Sequence, residues 1–231
     1  MLSIRKLHAY YGKSHVLQGV DLEVADGEVV ALLGRNGSGR STLAKAITGT
    51  VRSSGSVMFN GDETLGLPPH IIARCGIGYV PESRDVFPAL TVRQNLILGV
   101  KDPKRQTRWS MDEMFRRFPQ LAARADVPAG VLSGGEQQIL TICRTLLGEP
   151  SMLIIDEPTE GLAPLIVGQI GRFIAEIAAQ GVAVLLIEQK LMIALELSAR
   201  AYLLGHGQVV FDGRPADLMA DATLRRRWLE V

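Results

Sequence analysis

The chain has 231 residues, of which 47% are apolar and 21% charged, and its formal net charge is +1. This length and apolar content are enough for one sizeable core, built as a single domain or as a domain with a subdomain attached. The balanced charge argues against partners that attract a whole protein electrostatically, such as nucleic acid or an anionic membrane surface. We therefore predict no nucleic-acid partner and infer other partners from local sites.

Apolar runs in this sequence stay well below the roughly 18 residues that a membrane-spanning helix needs. The N-terminal residues also lack the apolar core of a signal peptide, so we expect a cytosolic chain without an anchor of its own. The cysteines, Cys75 and Cys143, lie far apart in apolar surroundings. We expect both to be reduced, buried thiols.

Short apolar runs alternate with helix-like segments along the chain, which predicts an α/β fold. Some segments resemble antiparallel strands joined by Gly and Asp turns, and these are residues 2–11, 16–24, 54–61 and 207–213. Continuous apolar runs predict strands that are buried on both faces of a parallel sheet, and these are residues 28–33, 76–80, 151–156 and 182–188. Between Pro103 and Pro128 the pattern is charged and helical, which indicates a subdomain.

The segment Gly34–Thr42, GRNGSGRST, differs from the phosphate-binding pattern G-x-x-x-x-G-K-[ST] at Arg40, where lysine is expected. A strand, a glycine-rich turn and a helix N-terminus together direct backbone N–H groups and a positive dipole end at one point, which suits an anion. The alternative is a tight connection without a ligand. The candidate phosphate-binding residues are Gly34, Asn36, Gly37, Ser38, Gly39, Arg40, Ser41 and Thr42.

Two acidic residues, Asp156 and Glu157, end a predicted buried strand, where open α/β sheets bind their ligands. An apolar strand that ends in acids is common and therefore a weak signal by itself. Together with a phosphate loop, however, Asp156 suits the coordination shell of Mg²⁺, to which Ser41 would add its hydroxyl. Glu157 then suits the orientation and activation of an attacking water.

The segment LSGGEQQ, Leu132–Gln138, places Ser133 as the N-cap of a helix over residues 135–148. Glycines at the start of a helix weaken it, so they are expected there only where the backbone must come close to another group. Gly134 and Gly135 therefore indicate a close approach, for which a phosphate is one candidate.

The order of these three motifs resembles the nucleotide-binding subunit of ABC transporters over essentially the whole chain. This resemblance implies an α/β P-loop NTPase of ABC type, with a mixed core sheet, an antiparallel β subdomain and an inserted α-helical subdomain. It also implies a single ATP-binding domain over residues 1–231, with the helical subdomain at about 83–150 and a RecA-like core on either side.

The resemblance further implies a head-to-tail dimer with a second ABC ATPase subunit, of the same or a different kind. ATP would lie between the phosphate loop of one subunit and Ser133, Gly134 and Gly135 of the other. Two transmembrane permease subunits and a separate solute-binding protein would complete an importer, with this chain peripheral on the cytoplasmic face of the inner membrane.

Further site residues follow from the resemblance. Tyr11 would stack on adenine, although Tyr10 is its neighbour and a buried aromatic is the alternative. Glu82 would join Ser41 and Asp156 in holding Mg²⁺, since a carboxylate is a suitable ligand for a hard cation. Gln189 stands where most relatives have histidine and would hydrogen-bond the γ-phosphate without a titrating proton.

Within the family, residues 79–96, YVPESRDVFPALTVRQNL, resemble the LivF-like ATPase of branched-chain amino acid importers. The urea and short-amide importer ATPase is a close alternative, because LGRNG, GLPPH and EPTEG are nearer to that group. A non-hydrolysing regulatory subunit is the alternative of another class, and Arg40 is the residue that favours it.

Arg40→Lys tests the departure from the phosphate-loop pattern. A guanidinium is planar and bulkier than an ammonium, so we expect the native loop to bind ATP·Mg weakly and the lysine variant to bind and turn over more strongly. The measurement is affinity and single-site turnover of the purified chain, alone and mixed with its partner ATPase. Equal behaviour of the two proteins would mean that the guanidinium fits the phosphates.

Overall fold

The computed structural model describes residues 1–102 and 107–229, and its strands and helices form two sheets with helices packed around them. The strands are β1 (Leu2–Tyr11), β2 (Ser14–Val24), β3 (Val29–Leu33), β4 (Arg52–Phe59), β5 (Asp62–Glu63), β6 (Ile77–Val80), β7 (Met152–Asp156), β8 (Ala183–Glu188), β9 (Arg200–Gly205) and β10 (Gln208–Gly213). The helices are α1 (Arg40–Ile47), α2 (Pro69–Cys75), α3 (Val92–Ile97), α4 (Met111–Arg117), α5 (Pro119–Ala122), α6 (Gly134–Leu146), α7 (Pro164–Ala179), α8 (Leu191–Leu197), α9 (Pro215–Ala220) and α10 (Ala222–Trp228).

The first sheet is antiparallel, with the strand order β2-β1-β4-β5. It contains the segments at residues 2–11, 16–24 and 54–61, whose antiparallel prediction is confirmed. Leu2 and Ile4 of β1, and Leu7 and Ala9 beyond an irregularity in the strand, belong to a core that this sheet shares with the second sheet. The sheet therefore covers one face of the strands that carry the predicted phosphate loop.

The second sheet has the order β10-β9-β3-β8-β7-β6. Its strands from β9 to β6 pair in parallel, and β10 pairs antiparallel with β9 at the edge. The predicted parallel strands and the mixed α/β sheet are confirmed. The sequence patterns missed β9, because a short apolar run such as AYLLG does not by itself distinguish strand from helix.

Both faces of the second sheet are buried, as its continuous apolar strands predicted. Along β8, Leu185 and Ile187 face the core shared with the first sheet, while Val184 and Leu186 face a core under α6 and α7. A strand that contacts a layer on each side needs apolar residues at every position. This explains why β3, β7 and β8 are apolar runs without alternation.

The helices α3, α4 and α6, which lie between β6 and β7, begin at the capping residues Thr91, Ser110 and Ser133. Thr91 and Ser133 each form a capping box with the residue three positions later. The assignment of residues 83–150 as a subdomain stays a prediction, and residues 103–106 of that segment lie outside the described residues. In the described part of the chain, no helix combines the length and apolar character that crossing a bilayer requires.

The two cysteines differ in their surroundings. Cys143 on α6 is fully buried, and burial raises the pKa of its thiol. Cys75 is exposed, so the expectation that both thiols are buried is wrong for this residue. Cys75 is the last residue of the short helix α2, whose buried residue is Ile72.

Leu185→Ala tests the core of the second sheet. Leu185 is fully buried in β8, between β3 and β7, and we expect its truncation to lower the free energy of unfolding by about 2–5 kcal/mol. Leu165→Ala is the matched control, because Leu165 is 73% exposed and its truncation should change stability by about 0.5 kcal/mol or less. Urea unfolding of both variants checks this expectation, and equal losses would contradict it.

Candidate functional site

The candidate site lies at the carboxyl ends of β3, β8 and β7. Leu33 pairs with Glu188, and Asp156 pairs with Ile187, so these strands end at the same edge of the sheet. A cavity of about 530 Å³ opens there. It is lined by Val16, Asn36, Gly37, Gly39, Arg40, Ser41, Thr42, Glu82, Glu157, Glu160 and Gln189.

The predicted phosphate loop forms a bare helix N-terminus in this cavity. Gly39 is the N-cap of α1 with φ +108°, a left-handed conformation that suits glycine. Among the described residues, no side chain caps the N–H groups of α1, and its first turn contains no acid. Gly34 also lies close to backbone, because a Cβ there would come within 2.6 Å of the Leu204 carbonyl. These uncapped N–H groups can therefore donate hydrogen bonds to a bound anion.

Arg40 spans the cavity from the loop to the acids. Its side chain is 4% exposed, and Nη2 donates to Asn36 Oδ1 at 3.0 Å and to Glu157 Oε1 at 2.6 Å. Nη1 is buried and has no hydrogen-bond partner among the described residues. A buried donor of a charged group is costly without an acceptor, so this geometry favours an anion beside Nη1.

Asp156 is buried at the end of β7, with 1% of its surface exposed. Burial raises the pKa of its carboxyl group, and hydrogen bonds from Ser41 and Tyr79 oppose that rise. Oδ1 is buried and unpaired within the described chain. This oxygen, with the Ser41 hydroxyl and the Glu82 carboxylate nearby, forms a set of hard donors that fits Mg²⁺.

Glu157 has φ +45°, an unfavourable backbone conformation for a residue with a side chain. Burial raises the pKa of its carboxyl group, Arg40 opposes the rise, and the carboxylates of Glu82, Asp156 and Glu188 add to it. The site thus concentrates negative charge around the Arg40 guanidinium. An anionic ligand therefore gains from a divalent cation that enters with it.

Residues 133–135 do not line this cavity. Ser133 is the N-cap of α6, as predicted, and it exchanges hydrogen bonds with Glu136. The close approach that the glycines allow is to side chains of the same chain. A Cβ on Gly134 would lie 2.2 Å from Arg84 Nη1, and one on Gly135 would lie 2.9 Å from Ile166 Cγ2. A role for these glycines at a partner's phosphate stays a prediction.

The two neighbouring tyrosines at the end of β1 have different surroundings. Tyr10 stacks on His15 with 4.5 Å between the ring centroids, and the Arg52 guanidinium lies 5.0 Å from the Tyr10 ring. Tyr11 is 46% exposed, so its ring is not the buried aromatic that was the alternative, although it does not line the cavity. These contacts favour Tyr11 over Tyr10 as the ring available to an adenine.

Several residues at the site were not identified from the sequence. Val16 and Glu160 line the cavity, and Tyr79 hydrogen-bonds Asp156. Glu160 lies three residues after Glu157, and that proximity is a signal that could have identified it. Val16 and Tyr79 come from other strands and are placed at the site by the sheets.

The fold and the site together define a P-loop nucleotide-binding protein, with a glycine-rich loop between a parallel strand and a helix and acids at a neighbouring strand end. The family model described as ABC transporter matches residues 17–160. The chain belongs to the ABC transporter family and corresponds to its ATP-binding subunit.

Individual proteins agree with this assignment. The chain is 42% identical to the high-affinity branched-chain amino acid transport ATP-binding protein BraG of Pseudomonas aeruginosa, over 99% of both chains. It is 39% identical to the probable branched-chain amino acid transport ATP-binding protein LivF of Archaeoglobus fulgidus, over 95% of this chain and 94% of the relative. It is 32% identical to the lipopolysaccharide export system ATP-binding protein LptB of Haemophilus influenzae, over 99% of this chain and 97% of the relative.

Solved structures resemble the fold over nearly the whole chain. An ATP-binding cassette of an ABC transporter in its ADP conformation superposes with a TM-score of 0.84 at 28% identity, over 98% of this chain and 97% of that one. The ABC-type fold is therefore confirmed.

Asp156→Asn tests the electrostatics of the site. A carboxyl group whose pKa is raised on folding binds more protons in the folded state, so its contribution to stability falls as the pH rises from 3.8 through the folded pKa. We therefore expect Asp156→Asn to be more stable than the wild type at pH 7 without Mg²⁺, and the difference to shrink toward pH 4. Urea unfolding in chelator measures this, with the exposed Asp62→Asn as control. A less stable Asp156→Asn at pH 7 would contradict the expectation.

Proposed function

We propose that this chain binds and hydrolyses ATP with Mg²⁺ and powers an importer of branched-chain amino acids. The observation that carries the proposal is that Arg40 Nη1 and Asp156 Oδ1 are buried without a hydrogen-bond partner among the described residues, at the edge where no side chain of that part of the chain caps the N–H groups of α1. Arg40 Nη1 can donate to a phosphate oxygen, and Asp156 Oδ1 can bind a divalent cation.

The proposed roles follow the positions of the side chains. The segment 34–42 holds the phosphates, and Tyr11 offers its exposed ring to the adenine. Mg²⁺, when bound, would neutralise developing charge on the phosphates, held by Ser41, Glu82 and Asp156. Glu157 orients and activates the water.

Gln189 lies at the cavity beyond β8, where its amide can donate to the γ-phosphate. The transferred phosphoryl group passes through a loose transition state, so the task of these side chains is positioning and charge compensation.

The proposed assembly is a head-to-tail dimer with a second ATPase subunit. It is supported by the position of Ser133, Gly134 and Gly135, which lie outside the cavity of their own chain. Two permease subunits and a solute-binding protein would complete the importer, with this chain on the cytoplasmic face of the inner membrane.

The cargo assignment rests on the relatives. BraG and LivF are named for branched-chain amino acid transport, and both are more identical to this chain than LptB, which is named for lipopolysaccharide export. Urea or a short amide is the alternative cargo that the sequence left open.

A non-hydrolysing regulatory subunit is the second candidate, and the Arg40–Glu157 ion pair favours it. A guanidinium held at 2.6 Å from the proposed base stabilises its carboxylate and restricts its movement. Hydrolysis requires this contact to loosen when the phosphates bind, so that Arg40 turns to them and Glu157 turns to the water.

Glu157→Gln separates the two candidates. An amide cannot accept the proton of water, so we expect ATP hydrolysis by the complex, isolated through a tag on this chain, to fall roughly 10²-fold or more. ATP·Mg affinity should rise, because the phosphates no longer compete with the Glu157 carboxylate for Arg40 and the site loses one negative charge. Glu196→Gln, an exposed glutamate of α8, is the matched control.

Uptake of labelled leucine and of labelled urea, in cells that carry the wild type or Glu157→Gln, tests the cargo. Leucine uptake that depends on Glu157 supports the proposal, and uptake of urea alone would select the alternative.

In the hydrolysis measurement, unchanged ATP hydrolysis in Glu157→Gln would favour the regulatory subunit.

A further inference from the structure

Arg84 has a constrained backbone beside the candidate site. It follows Glu82 by two residues, and its φ is +61°, in the left-handed region that residues with a side chain rarely adopt. Its carbonyl accepts a hydrogen bond from Thr141 Oγ1 of α6 at 2.5 Å. The contact with α6 therefore holds a strained conformation that sets the direction of the Arg84 side chain.

The Arg84 guanidinium joins two further segments. Nη2 donates to the carbonyl of Glu160 at 3.0 Å, in the loop after β7. Nη1 fills the space beside Gly134, where a Cβ would be only 2.2 Å away. A side chain at position 134 would displace the guanidinium from this place.

The bond to Glu160 acts on the turn that carries the proposed base. The Glu160 N–H donates to the Glu157 carbonyl at 3.3 Å, which closes a four-residue turn from Glu157 to Glu160. Glu157 itself has a positive φ, so this turn is strained at its first residue. Arg84 secures the far end of the turn and thereby restricts where the Glu157 carboxylate can lie.

We infer that Arg84 is a positioning residue, which couples the start of α6 to the turn that holds the Glu157 carboxylate. The inference rests on the proposed function, in which Glu157 activates water and α6 completes the site of a partner subunit. Arg84 does not line the cavity, so its action is on the base and on α6 rather than on the nucleotide. Its loss should therefore affect turnover more than nucleotide affinity.

Arg84→Gly is the informative substitution, because glycine accepts the positive φ and keeps the carbonyl that Thr141 binds. We expect the melting temperature to be retained or raised, while kcat falls roughly 10-fold to 10²-fold through misplacement of the carboxylate. KM for ATP should stay within about twofold of the wild type. A purely structural arginine would instead lower the melting temperature when removed.

Arg84→Lys completes the series. An ammonium can reach the Glu160 carbonyl or fill the space beside Gly134, whereas the planar fork of a guanidinium does both. The kcat of Arg84→Lys should therefore lie between those of the wild type and Arg84→Gly. Arg214→Ala is the matched control, because Arg214 is exposed and pairs with Asp217 away from the cavity. ATP hydrolysis and melting are measured on the complex isolated through a tag on this chain.

The outcomes separate the inference from the proposed function. Wild-type kcat in Arg84→Gly overturns the inference alone, and so does a variant whose melting temperature falls or whose KM rises as much as its kcat drops. A wild-type complex that neither binds ATP·Mg nor hydrolyses it removes the proposed function and the inference with it.

Discussion

Parallel pairing of β3, β8 and β7 is the constraint on which the rest of the site depends. Because the three strands run in the same direction and in register, the loop before α1, the acids after β7 and Gln189 after β8 meet at one edge. The order of the strands in the sheet differs from their order in the chain, so residues more than a hundred positions apart come into hydrogen-bonding distance. The Arg40–Glu157 pair is an example.

Buried charge is the second determinant of the site. Asp156, Glu157 and Glu188 all have carboxyl groups whose pKa is raised by burial, and Arg40 is the cation that contacts Glu157. Such a cluster of carboxylates reduces stability without a ligand and favours the binding of a cation for the same reason. Both contacts of Arg40, to Asn36 and to Glu157, come from Nη2, so the second arm of the guanidinium, Nη1, is left for a further acceptor that a lysine ammonium in the same place would not address.

The start of α6 shows that the LSGGEQQ segment has a structural explanation within its own chain. Ser133 caps the helix, and the glycines that follow make room for Arg84 and Ile166. These contacts join α6 to the loops after β6 and β7 and to α7. The N-terminus of α6 is therefore in direct contact with the loops that flank the candidate site.

The local properties of this protein follow from the sequence by itself. Apolar runs identified β3, β6, β7 and β8, the cap at Ser133 identified the start of α6, and the glycines of GRNGSGRST identified the turn before α1, because each depends on neighbouring residues. The tertiary structure alone decided which side chains meet. It placed Arg40 against Glu157, stacked Tyr10 on His15 while leaving Tyr11 exposed, brought Val16 and Tyr79 to the site, and left Cys75 exposed. These contacts join segments that are distant in the chain, and their distances and burial arise only when the sheets and helices pack.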